Sequence, residues 1–119
     1  MAKKKSKPKS PFLGRWTIVS MSGWDQDYVN EEVQAFIEFE PSQSGGFHFG
    51  NVQGDIDYRD VQREGKSAVE FSWEGNAEMD PATGRGWAVL DGDRLTGMIF
   101  FHQGDEFDFE AERDVVEED

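Results

Sequence analysis

The chain has no cysteine. Disulfide staples, thiolate nucleophiles and cysteine-ligated zinc are therefore excluded. That lack fits a reducing compartment, and a cytoplasmic location is the expectation. Histidine is almost as scarce. His48 and His102 are the only two, and neither stands in an HxH, HxxxH or HExxH pattern, so no metal site is expected and a Ser-His-Asp triad of the ordinary kind is not available. No GxSxG elbow and no phosphate loop is present; Gly45-Gly46 reads as a turn. Apolar runs are all far shorter than the roughly 18 residues that span a membrane. A basic N-terminus is not followed by an apolar stretch, so neither a secretory signal nor a membrane partner is expected. No cofactor is expected.

Positive charge is also in short supply outside the first residues. Five of the 12 basic residues are Lys3, Lys4, Lys5, Lys7 and Lys9. From residue 12 onward, seven basic residues face all 25 acidic ones, a net charge of −18. Such a body repels nucleic acid and anionic membranes, and suits solubility or a basic partner. Residues 1–11 read as a disordered basic tail, with like charges and two prolines opposing any compact state. The tail is the one part able to contact nucleic acid, weakly. Residues 114–119 read as an acidic, frayed C-terminus.

What the chain does have is phenylalanine, ten copies in 119 residues, and thirteen glycines. Aromatic residues fill a core with few side chains and favour strands. Between residues 12 and 113 apolar and polar residues alternate in short runs separated by turn signals. The first run is Leu13 to Met21. Ile37 and Phe39 follow a polar stretch, 24–34, with room for one helical turn. Phe47 with Phe49, Ile56 with Tyr58, and Val69, Phe71 and Trp73 continue the pattern. Residues 75–84 are polar and read as a long connection. Trp87 to Leu90, Leu95 to His102 and Phe107 to Ala111 complete it, joined at Asp91-Gly92-Asp93 and Gln103-Gly104-Asp105.

The fold class expected is therefore all-β, an antiparallel meander of about eight strands in one domain. Each strand carries one apolar face, and no amphipathic helix is available to cover it. Closing the sheet into a small barrel solves both the face and the edge; a two-sheet sandwich is the alternative. Gly97 is a candidate bulge or bend. The expected interior comprises Ile18, Ile37, Phe39, Phe47, Phe49, Ile56, Phe71, Trp73, Val89, Ile99, Phe101, Phe107 and Phe109. It is either a filled core or a core open at one end, near Trp73 and Trp87, to a small apolar molecule.

Gly14-Arg15-Trp16 resembles the Gly-x-Trp opening of the calycin barrels, the lipocalins and avidins. The resemblance implies that Trp16 plugs the closed end and that a late basic residue, here Arg113, stacks on it. It also implies a small apolar ligand in the barrel, although nothing here matches the biotin-contacting pattern of the avidins, and the chain is shorter than a typical lipocalin. Segments 47–59 (FHFGNVQGDIDYR), 71–87 (FSWEGNAEMDPATGRGW) and 88–113 (AVLDGDRLTGMIFFHQGDEFDFEAER) are similar to those of a family of short uncharacterised bacterial proteins, a resemblance that implies a compact domain and no chemistry.

Candidate ligand-binding residues are Trp73, Glu74, Glu78, Arg85 and Trp87, which would converge if the 75–84 connection folds over the barrel mouth. Arg85 pairing with Glu74 or Glu78 in a self-contained loop is the plainer alternative. Asp25 with Asp27, and Asp55 with Asp57, are carboxylate pairs on loop or outward positions; acid–base chemistry needs one such group buried. No catalytic residue is assigned. The functional expectation is a non-catalytic small-ligand-binding or interaction module. An acidic domain recognising a basic protein is the alternative, and a carboxylate-based hydrolase comes third.

Overall fold

The computed structural model describes residues 10–23 and 25–114. Eight strands follow one another: β1 (Gly14–Met21), β2 (Phe36–Glu40), β3 (Ser44–Phe49), β4 (Val52–Arg63), β5 (Lys66–Ala77), β6 (Asp80–Asp91), β7 (Arg94–Phe101) and β8 (Glu106–Arg113). Each pairs antiparallel with the next, and β8 returns to pair with β1. The sheet is thus a closed meander barrel, an architecture consistent with the calycins, and not a sandwich. One helical turn, α1 (Gln26–Val29), lies in the polar segment between β1 and β2. Among the described residues no helix is long and apolar enough to cross a membrane.

The interior is built from rings set against glycines. A side chain begun at Gly54 would meet the Phe47 ring at 2.7 Å and the Trp73 indole at 2.8 Å. One begun at Gly84 would meet Trp73 Nε1 at 2.7 Å, and one at Gly97 the Phe109 ring at 2.8 Å. Gly86 lies under Phe71 in the same way. Large residues on β3, β5 and β8 thus fill the room that small residues on β4, β6 and β7 leave, the alternation a narrow barrel requires. The rings also meet one another: Phe47 with Trp73 at 5.0 Å between centroids, and Phe39 with Tyr58 at 5.0 Å, both edge-on. Each buried aromatic or aliphatic side chain contributes about 1.5–3 kcal/mol.

Three expectations are corrected by this arrangement. Residues 75–84 are not a long connection: β5 and β6 run on as a hairpin of two twelve-residue strands joined by Glu78-Met79 alone. Gly75 and Gly84 occupy inward positions there, so the inward face carried no hydropathy signal. Secondly, Gly86 and Ala88 are the buried positions of β6, which puts Val89 and Trp87 on the outer face, half-buried. Thirdly, the ladder runs unbroken through Gly97 on both sides. The register shift lies instead between Ile18 and Ser20 of β1, against β8.

Substituting Gly54→Ala drives a methyl into the Phe47 and Trp73 rings and is expected to cost about 1–3 kcal/mol in urea denaturation. Alkaline pH should also destabilise the barrel. Burial pushes the Tyr58 phenol above its ordinary 10.0, with the Asp60 charge adding to it, and burial does the same to Tyr28. The unfolded phenols ionise first, so stability that is whole below pH 10 falls as pH rises through the raised folded values. Denaturation midpoints at about pH 8 and about pH 11 should show that fall, and Tyr58→Phe should lessen it.

Candidate functional site

The two ends of the barrel differ. At one end Trp16 is fully buried and its Nε1 donates to the Phe12 carbonyl at 2.9 Å. The β1–β8 register sets Arg113 directly opposite Trp16, and the guanidinium carbon lies 4.1 Å from the indole centroid. Its two terminal nitrogens donate to the carbonyls of Leu13 at 3.1 Å and Pro11 at 2.8 Å. A stacked guanidinium of this kind is favourable by roughly 0.5–2 kcal/mol. Phe12 is fully buried at this end, edge-on to Phe39 at 5.9 Å.

Ser10 Oγ donates to Asp60 at 2.9 Å, so Ser10 and Pro11, expected in the tail, are tied to the barrel. Asp114, expected to fray, is held as well. Its N–H donates to the Arg15 carbonyl at 3.1 Å, and its carboxylate accepts from the Thr17 hydroxyl. The rest of the expected tail, 1–9, and residues 115–119 lie outside the described residues.

The opposite end is formed by the β1–β2 segment and the turns Gly50-Asn51, Glu78-Met79 and 102–105. The α1 segment covers part of it. Val29 is fully buried, its carbonyl accepts from the Gly50 N–H at 2.7 Å, and the Tyr28 hydroxyl donates to Asn51 at 2.5 Å. Beside α1 lies a groove of about 340 Å³ lined by Val52, Ala77, Phe101 and Phe107 together with Asn51, Glu78, Gly104 and Asp105. Trp73 packs edge-on to Phe101 at 5.1 Å, and Phe101 to Phe107 at 5.9 Å. Beside the groove Met79 is 93% exposed. Glu78 and Met79 both hold positive φ, 52° and 74°, in a two-residue turn whose usual occupants are Asn and Gly. Glu78 N–H is secured by the Asn51 carbonyl at 3.1 Å.

The five candidate residues do not converge. Trp73 is core, 3% exposed, beneath the open-end groove. Glu78 is in the turn at that end. Glu74, Arg85 and Trp87 are on the outer face of β5 and β6, where Ser72 opposes Arg85 and Glu70 opposes Trp87. Arg85 pairs with neither Glu74 nor Glu78. Its guanidinium carbon lies 5.7 Å from the Phe100 centroid, and Arg63 stacks on Trp87 at 4.4 Å. The groove residues Val52 and Ala77 were not among the candidates, and Phe101 and Phe107 were assigned to the interior. Their position beside the Gln103-Gly104-Asp105 turn, at two strand ends, is the sequence signal that marks a barrel mouth.

Among the described residues the core tryptophans and Tyr58 carry the only polar groups on buried side chains; no other polar or charged residue is buried, and no three of the His, Asp and Glu side chains come together to hold a metal ion. His48 Nε2 lies 3.0 Å from Glu32; His102 is in the exposed turn after β7. Asp55 and Asp57 point outward from β4, with Asp55 directly opposite Glu74 and Asp57 paired to Arg59. Comparison with protein-family models, with curated proteins and with solved structures finds no match in any of the three.

Arg113→Ala removes both the stacking and the two contacts to the Pro11 and Leu13 carbonyls, and should cost about 2 kcal/mol in urea denaturation. Arg113→Lys keeps the charge but not the planar fork, and should recover less than half of that loss.

Proposed function

We propose that this protein is a non-catalytic binding module, lipocalin-like in plan, that receives a small apolar molecule at the open end of its barrel. The observation that carries this reading is the groove that Val52, Ala77, Phe101 and Phe107 help to line over the buried Trp73. Its volume falls within the range of small-molecule sites. The calycin resemblance implies a ligand inside the barrel, but here rings seated on glycines occupy that space, so the ligand sits on the mouth. The accessibility of every described carboxylate supports a non-catalytic role, because a general acid needs burial to raise its pKa.

A second reading, a module for a basic protein, is favoured by one observation. Asp55 and Glu74 face each other directly across β4 and β5, a like-charge pair that destabilises the sheet. With Glu38 and Glu40 they line a groove of about 380 Å³ beside Gly46. A lysine or arginine from a partner would relieve the repulsion.

Titration with the neutral fluorophore 1-aminoanthracene separates the two. The first reading expects saturable binding, indifferent to salt, and weakened at least about tenfold by Ala77→Lys. Ala77 is half-buried at the end of β5, so the new side chain can reach water without unfolding the strand. No saturation, or equal binding by the variant, would overturn it. A basic peptide whose binding survives Ala77→Lys and falls steeply with salt supports the second reading instead.

A further inference from the structure

The seven described basic side chains stand among far more carboxylates, and six of them pair. Arg15 binds Glu38, Arg59 binds Asp57, Arg63 approaches Glu70, Lys66 approaches Asp91, Arg94 holds Glu110 and Glu112, and Arg113 approaches Asp93. Arg85 alone has no carboxylate within 4 Å among the described residues. Carboxylates are not lacking around it. Glu70 and Glu74 flank Ser72, its cross-strand partner on β5, and Glu106 opposes Phe100 on β8. In a sheet such diagonal positions are within reach of a long side chain. The guanidinium lies toward Phe100 instead.

This cation borders a groove of about 500 Å³ on the outer face of β4 to β7. Trp87 and Phe100 supply half-buried rings beside Ser72 and Gly86. The two lining carboxylates, Asp57 and Glu70, already face Arg59 and Arg63, which leaves Arg85 as the lining cation with no carboxylate of its own. An unpaired guanidinium offers a planar fork that matches a carboxylate with two parallel hydrogen bonds. The flanking rings offer apolar contact to whatever carries that carboxylate. The groove's volume suits a molecule of one or two fused rings.

We infer that this outer groove is a second binding site, separate from the open end, for a small aromatic carboxylate whose acid group pairs with Arg85 and whose ring lies against Phe100 and Trp87. A polyanion is disfavoured as occupant by the net −18 of the body, which a ligand of single charge feels far less. The site does not depend on the open-end reading, since the two grooves share no lining residue.

The test is an amide NMR titration of the full chain with 2-naphthoate, with neutral 2-naphthamide as control. Saturable shifts at Ser72, Arg85, Trp87 and Phe100 are expected, with naphthamide much weaker. Arg85→Gln should weaken naphthoate about tenfold or more, and Arg85→Lys less. Arg85 is an exposed side chain, so each variant's unliganded spectrum should overlay the wild type away from the groove. The proposal is overturned if naphthoate does not saturate or shifts only the open-end residues Phe101 and Phe107. Naphthamide or the Arg85→Gln variant binding as well as the reference pair would equally overturn it. A single-stranded oligonucleotide that shifts these amides where naphthoate does not would reject the carboxylate in favour of nucleic acid.

Discussion

Space inside an eight-stranded barrel is the constraint on which the rest of this molecule depends. The closed sheet encloses little more than its own side chains can fill, and this chain fills it with phenylalanine and tryptophan. Several of these rings fit because a neighbouring strand has a glycine beside them. Gly54 accommodates Phe47 and Trp73, Gly84 accommodates Trp73, and Gly97 accommodates Phe109. The ring–glycine contacts determine which face of each strand turns inward, since a slip of one residue would put the glycines outside and leave the rings without room. They also leave the barrel's two ends and its outer face as the places where a ligand can meet it.

The fold class was legible because most strands alternate plainly. Ile37 and Phe39, Ile56 and Tyr58, and Phe71 and Trp73 have polar neighbours on the opposite face. The β6 strand was not legible, for a physical reason. Apart from Leu90 at its end, its inward residues are glycine and alanine, and its outward residues include Trp87 and Val89, so over most of the strand the hydropathy pattern has the opposite phase to the burial pattern. In 75–84 the inward positions are glycine and alanine with polar residues outward, so that stretch reads as a loop. Trp16 and Arg113 were marked by the calycin resemblance, and the geometry sets them 4.1 Å apart. The candidate site was harder to read, since its five residues lie on both faces of one hairpin and alternation alone cannot say which faces the core.

Charge plays a different part from packing. Most ion pairs here are exposed on the sheet surface, where each contributes at most about 1 kcal/mol. Stability therefore rests on the rings and on the Arg113 clasp. The surplus of carboxylates governs solubility and long-range attraction or repulsion. Against that background, positions where pairing fails are informative: Asp55 opposite Glu74, and Arg85 beside Phe100.

Ser10 and Asp114 both reach the barrel at the Trp16 end, one bonded to Asp60 and the other to Arg15. Chain enters and leaves at that single pole, while the Phe101–Phe107 groove lies at the other. The barrel therefore has a handle and a working tip. The chain on either side of the described residues starts from the handle, at Ser10 and at Asp114, and not from the tip.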